Sequence, residues 1–308
     1  MEGDRRARGC KARLGWQASS DIQVPGVQLL HDFVELNGGR LCFVRGGLGR
    51  PIVLIHGGHG GWAHWARNVE PLSKAAKVIA VDLPGFGCSY DPGRCLTVDE
   101  QCAVMGEFLD QQGLSRVTLV GFSFGAVVAA ALARTRADRV ASLVVVNPPG
   151  VGPRSEYALA LPARLSALSK TAGFRAGVEG VLRELMLCNH ALIDSALIDK
   201  AAETISQTRY VTRGLSQGSQ MLAMLERVSQ DIRVFIGAED PFHSNDLEGR
   251  KAGINGRVGY DAVCIVPRAA HWLQYDRADF FNEALLDFHT KGERLQATLV
   301  PIERRVEE

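Results

Sequence analysis

No apolar run in this sequence approaches the ~20 residues that a membrane-spanning helix needs. No cysteine pair has the C-x-x-C spacing of a redox or zinc site. A strong charge of one sign is missing too: 35 Lys and Arg against 34 Asp and Glu leave a net charge of +1. Neither nucleic acid nor a membrane is therefore expected as a partner. There is no internal repeat and no low-complexity tract. The seven cysteines, at positions 10, 42, 88, 95, 102, 188 and 264, are odd in number and scattered. That pattern predicts isolated thiols in a reducing, cytoplasmic setting rather than a disulfide framework. The basic start, Met1 to Arg13, is not followed by a secretory apolar region. Residues 1–26 are expected to be a disordered extension, and 291–308 a flexible tail of mixed charge.

What is present suits a large core, since 46% of the 308 residues are apolar. Two β-like runs, Val27–Glu35 and Arg40–Val44, flank Asn37-Gly38-Gly39, a hairpin signal. Short apolar strands then alternate with helical stretches: Ile52–Ile55, Val78–Val81, Val117–Val120 and Val140–Val146. A helix over Val98–Gln112 places Val104, Phe108 and Leu109 on one side. Strands buried on both faces and separated by helices imply a parallel α/β sheet. After Asn147-Pro148-Pro149-Gly150 the pattern turns all-helical for residues 151–230, with breaks expected near Gly173, Gly177, Asn189, Gly214 and Gly218. Strands return at Ile232–Ile236 and Ala262–Val266, and a last helix spans Ala278–Thr290. The core is thus expected in 27–150 and 231–290, with the helical insert as a cap over one sheet edge.

The chemistry concentrates at strand ends. Val120-Gly121-Phe122-Ser123-Phe124-Gly125 puts a serine where a buried strand must turn into a helix, the pattern of a nucleophile elbow. Serine needs a base to take its proton, and the base needs an orienting acid. Downstream, one strand ends in Gly237-Ala238-Glu239-Asp240-Pro241 and another in Pro267-Arg268-Ala269-Ala270-His271. Asp240 is the expected acid, with Glu239 as the alternative, and His271 the expected base. A turn carboxylate or loop histidine alone is ordinarily structural; the order Ser, acid, His gives these a shared purpose. The loop His56-Gly57-Gly58-His59-Gly60-Gly61 can aim backbone N–H groups at a developing oxyanion, so Gly58 and Phe124 are the expected donors.

Together the His56-Gly57-Gly58 loop, Asp82-Leu83-Pro84-Gly85-Phe86-Gly87 with Ser89, the elbow, Gly237 to Asp240 and His271 resemble the α/β-hydrolases over residues 27–290. The resemblance implies an eight-stranded, mostly parallel sheet flanked by helices, with a helical cap after the sixth strand, and no cofactor. Ala270 to Tyr275, Phe281-Asn282 and Leu286-Asp287-Phe288 resemble the meta-cleavage-product hydrolases, which cut a carbon–carbon bond in ring-opened aromatic dienoates. Two features depart from that branch: Phe122 stands where asparagine is usual, and the loop lacks Gly-Pro. Esterase, lactonase and thioesterase activities stay open. The substrate is expected to be a small apolar or aromatic-derived carbonyl compound. Phe122, His59 and Trp272 are expected to contact it. Arg209 or Arg213 would meet a substrate carboxylate, as a cap arginine does in the resembling branch. Cap residues Leu182, Leu185, Met186, Leu187, Met221, Leu222 and Met224 are candidates for an apolar wall.

Other readings compete. Gly58 to Ala63 matches G-x-G-x-x-A, with Asp82 ending a strand some twenty residues on, as a dinucleotide site requires. Trp62 and Trp65 are bulky for a close pyrophosphate approach. His56, His59 and His64 lack a carboxylate or cysteine that completes a zinc spacing, so no metal is expected. A non-catalytic ligand sensor, or a cofactor-free oxygenase or perhydrolase, would use the same fold. A homo-oligomer is compatible with everything above.

Overall fold

The computed structural model describes residues 29–209 and 220–291. The expected N-terminal extension and C-terminal tail, Arg213, and the breaks near Gly214 and Gly218 lie outside these residues. Eight strands form one sheet: β1 (Leu30–Leu36), β2 (Gly39–Gly46), β3 (Pro51–Ile55), β4 (Lys77–Val81), β5 (Val117–Phe122), β6 (Val140–Val146), β7 (Asp231–Gly237) and β8 (Val263–Val266). Their order is β1-β2-β4-β3-β5-β6-β7-β8. The hairpin β1–β2 and the β2–β4 pair are antiparallel, and every other neighbouring pair is parallel.

The parallel strands read as continuous apolar runs because helices cover both faces. Side chains alternate across the sheet. Val53, Ile55 and Leu119 join one core with α2 (Val98–Gln111) and α3 (Phe124–Thr135), while Ile52, Leu54 and Val120 join the other. On that second face lie Val69–Ser73 (α1) and the closing helix Ala278–Lys291. The start of α2 is fixed by a capping box, in which Thr97 and Glu100 satisfy each other's backbone N–H groups.

Between β6 and β7 the described chain is helical: α4 (Glu156–Ala172), α5 (Phe174–Val181), a π-helical turn at Leu182–Met186, and α6 (Ser195–Ser206). Then α7 (Gln220–Leu225) returns the chain to the sheet. Gly173 separates two helices, as expected, at φ +94. Gly177 does not break the helix. It sits inside α5 because the helix packs closely on Ser169, whose Cβ lies 2.5 Å from where a Cβ on Gly177 would stand. After β7 come α8 (Leu247–Val258), then β8, α9 (Leu273–Asp276) and α10 (Ala278–Lys291).

Candidate active site

β5 is buried along its length and runs directly into Ser123, whose backbone is left-handed at φ 50 and ψ −114. That conformation costs a non-glycine residue on the order of 1–3 kcal/mol. It is held because Ser123 N–H donates to the Val146 carbonyl at 2.9 Å and its own carbonyl accepts from Ala126 N–H at 3.0 Å. The flanking glycines are obligatory. A Cβ on Gly121 would stand 2.3 Å from the Gly125 oxygen, and one on Gly125 would stand 2.4 Å from the carbonyl oxygens of Ile55 and His56.

The hydroxyl so presented meets an imidazole: Ser123 Oγ is 3.0 Å from His271 Nε2. His271 Nδ1 is in turn 2.7 Å from Asp240 Oδ2. Asp240 has no exposed surface, and its other oxygen accepts Phe242 N–H at 2.9 Å. Burial works to raise the Asp240 carboxyl, but His271, His243 and that N–H outweigh it and hold it below the ordinary carboxylate range. Glu239, the alternative acid, points elsewhere: its carboxylate accepts Ala269 N–H at 2.9 Å and pins the loop.

Two residues that sequence reasoning passed over align these strand ends. Asn147, at the end of β6, accepts Gly237 N–H at 2.9 Å and donates to the carbonyls of Ala270 and His271 at 3.1 and 2.8 Å. One side chain thereby joins the ends of β6 and β7 to the histidine loop. Asp276 accepts Ala270 N–H at 3.0 Å and the N–H groups of Cys188 and Asn189 at 2.7 and 2.9 Å. The backbone N–H groups of His271 and Trp272 complete the junction by donating to Leu185 and Met186 in the π-helical turn. An asparagine closing a buried strand was the available signal for Asn147.

The glycine loop is shaped by two buried histidines. His56 lies 2.7 Å from the Gly57 carbonyl through Nδ1, and its Nε2 accepts Leu83 N–H at 3.0 Å. His64 Nδ1 accepts Gly57 N–H at 3.2 Å. Burial pushes His56 down to about 4 and His64 well below its ordinary value, so both are neutral hydrogen-bonding struts. Gly58 and Phe124 line the cavity wall with Ser123.

That cavity encloses about 990 Å³, at the upper end of ligand-site sizes. His59, Phe122 and Trp272 line it, and so do Leu182, Leu185 and Met186. The Phe122 ring packs on His271 and His64, and Trp272 donates to the His64 carbonyl at 2.8 Å. Arg154, unmarked in the sequence, also lines it with its guanidinium 4.9 Å from the Phe242 ring centre.

Several expectations need correction. Arg209 is not in the cavity wall. Its guanidinium donates to the Ser89 carbonyl at 3.2 Å and pairs with Asp91 at 3.4 Å, fastening the loop after β4. Leu187, Met221, Leu222 and Met224 pack into the cores instead of the cavity. Asp82 cannot face a ribose: it is buried and accepts the N–H groups of Trp62 and Cys88 at 2.6 and 3.0 Å. Cys42, Cys95, Cys102, Cys188 and Cys264 are free thiols. Among the described residues, no helix is long and apolar enough to cross a membrane.

Known proteins are similar to this chain in sequence and in fold. A family model described as the alpha/beta hydrolase fold matches residues 50–193. The chain is 29% identical over 271 residues to a dihydrolipoyllysine-residue acetyltransferase component of an acetoin cleaving system from Cupriavidus necator, covering 85% of this chain and 69% of that one. It is 26% identical over 263 residues to a 2-hydroxy-6-oxononadienedioate/2-hydroxy-6-oxononatrienedioate hydrolase from Comamonas testosteroni, covering 80% and 90%. Among solved structures, a meta-cleavage product hydrolase from Pseudomonas fluorescens superposes with a TM-score of 0.67 at 21% identity, covering 85% of this chain and 98% of that one.

Proposed function

We propose, from the premise that this chain is a hydrolase of the α/β-hydrolase fold, that it cleaves a carbon–carbon bond next to a carbonyl in a small ring-fission dienoate. Ser123, His271 and Asp240 would act as the triad. The observation that carries this reading is the unbroken chain from Ser123 Oγ to His271 at 3.0 Å and on to Asp240 at 2.7 Å, beside a largely apolar cavity. The relative from Comamonas testosteroni, named for a dienedioate substrate, supports the substrate class.

In this mechanism His271 Nε2 takes the hydroxyl proton as Ser123 Oγ bonds to the carbonyl carbon. Asp240 accepts Nδ1–H, fixing the tautomer and stabilising the imidazolium. The backbone N–H groups of Gly58 and Phe124 receive the oxyanion, a device in which one donor is worth roughly 10²–10³ in rate. The dienol must first ketonise, so that its carbon–carbon bond can break toward a stabilised carbanion. His271 returns a proton to that fragment. Water, deprotonated by the same imidazole, then hydrolyses the acyl-serine. The helices of residues 151–230 would select the substrate as a cap. A cytoplasmic setting is part of the same proposal, with five free thiols in its favour.

A second reading, carboxylic ester hydrolysis, is favoured by Phe122, which fills the position where the carbon–carbon branch usually carries asparagine. Turnover of a ring-fission dienoate and of p-nitrophenyl esters, measured on wild type and Ser123→Ala, tests both. The first reading expects the higher kcat/KM on the dienoate, and its loss in the variant. Higher kcat/KM on esters transfers the assignment to the second. Full activity in Ser123→Ala, or no turnover of either class by wild type, overturns both.

A further inference from the structure

Beside the Ser123–His271–Asp240 chain stands a second imidazole that no step of the proposed reaction uses. His243 is 3% exposed and follows Asp240 by three residues in the turn after β7. Its backbone N–H and that of Ser244 both close on the Asp240 carbonyl at 2.8 Å, so the two residues belong to one rigid turn. His243 Nε2 lies 3.7 Å from Asp240 Oδ2. That is the same oxygen that meets His271 Nδ1 at 2.7 Å.

No contact of the His243 ring has full hydrogen-bond geometry, and the Asn147 backbone carbonyl is the partner its N–H leans on. Leaving a buried donor unmatched costs about 1–3 kcal/mol, so a core histidine in this state is unfavourable unless a partner lies near. Two acceptors compete for that donor, the Asn147 carbonyl and, 3.7 Å from Nε2, Asp240 Oδ2. Phe242 N–H occupies Oδ1, and His271 uses one of the two lone pairs of Oδ2. The groups facing His243 are Asp240 and His271 from the strand ends, Arg250 from α8, and the Asn147 backbone. Arg154, from the loop after β6, lies over the neighbouring Phe242 ring. Arg250 also holds the turn, donating through Nε to the His243 carbonyl at 3.0 Å. Burial pushes the His243 imidazole down to about 4, so the ring is neutral where Asp240 is ionised and carries a single N–H.

We propose that His243 is a positioning residue whose Nε2–H closes on Asp240 Oδ2 as a second donor and thereby sets the basicity of His271. The inference rests on the triad proposed above. A second donor spreads the carboxylate charge and weakens its pull on the His271 proton. The base then stays neutral, and able to accept from Ser123, at lower pH. His243 borders the cavity but does not touch the nucleophile, so in this scheme its effect falls on kcat more than on KM.

Two variants of the full chain test it, His243→Val without a donor and His243→Gln with one at the reach of Nε2. The His271 ring is followed by NMR titration of ¹⁵N-histidine-labelled protein, a readout that needs no substrate. The pH profile of kcat and KM is measured alongside with p-nitrophenyl acetate. In His243→Val the His271 titration and the acid limb of kcat/KM are expected to move up by about half a pH unit. This corresponds to a roughly threefold lower kcat on the acid limb, with KM within twofold. His243→Gln is expected to stay near wild type. An unmoved His271 titration in His243→Val, or the same displacement in both variants, overturns the proposal whatever the melting temperatures do. Absence of ester turnover in the wild type bears on the proposed function, and the NMR titration still decides the role of His243.

Discussion

Asp240 and His271 hang from the carboxyl ends of adjacent parallel strands, and their Oδ2 and Nδ1 atoms approach to 2.7 Å across that gap. Neither loop alone could fix such a contact. It is imposed by the β7–β8 register, Gly237 opposite Val266, which sets both loops out from one edge. If this pair orients the base, Asp240→Asn should preserve the fold yet lower kcat/KM by on the order of 10³–10⁴, because an amide can hold the imidazole in the wrong tautomer. Ser123→Ala should fall as far. Steady-state kinetics beside thermal melting checks this, and a variant that keeps a tenth of wild-type activity would remove Asp240 from the mechanism.

Arg209 gives the opposite kind of expectation. Its guanidinium is committed to the Ser89 carbonyl and the Asp91 carboxylate, and its backbone N–H to the Gly85 carbonyl at 2.9 Å. Arg209→Ala should therefore leave KM for a carboxylate-bearing dienoate within about twofold, and lower stability by about 1 kcal/mol or less, since the ion pair is partly solvated. A tenfold rise in KM, specific to anionic substrates, would put the side chain back in the cavity.

These two residues mark where the sequence was legible. Ser123, Asp240 and His271 could be read because each sits where a strand must end, and strand ends in a parallel sheet converge whatever the details of packing. The sheet itself was legible for the same reason: continuous apolar runs such as Pro51–Ile55 have few other uses. Arg209 misled because a long flexible side chain takes its direction from neighbours that the local sequence does not name. Asn147 was missed because its three partners lie 90 or more positions away. Gly177 looked like a helix break, yet it marks where α4 and α5 approach too closely for a Cβ.

Acid stability should report the buried histidines. His56 and His289 are pushed down to about 4 and His64 well below its ordinary value, all chiefly by burial. Unfolding returns these rings to an ordinary imidazole near 6.5, so the unfolded chain binds more protons between 6.5 and 4. Stability is then full above 6.5 and is lost as pH falls through that window. Asp82 opposes this. Burial pushes its carboxyl up to about 6, so its protonation favours the folded chain, fully below 3.8 and no longer above 6. Asp82→Asn removes the opposing contribution, and urea unfolding at pH 7, 6, 5 and 4 should show a steeper acid loss than in wild type. An equal or shallower slope would mean that Asp82 is ionised throughout.

Asn147 offers the sharpest test of how the site is built. Its side chain is fully buried and its backbone is left-handed at φ 43, a conformation asparagine tolerates better than alanine does. Asn147→Ala strands the Gly237 N–H and relieves the Ala270 and His271 carbonyls of their donor, while adding backbone strain. Each buried group left unmatched costs about 1–3 kcal/mol, so a loss of roughly 3–5 kcal/mol in urea unfolding is expected. Asn147→Gly removes the same hydrogen bonds without the left-handed penalty and should recover about 1 kcal/mol of it. Both variants should lose activity alike at temperatures where each is folded, because the histidine loop has lost its tether to β6 in each. If Asn147→Gly is folded and fully active, the loop is held by Asp276 and the Leu185 and Met186 carbonyls alone, and Asn147 serves stability without placing His271.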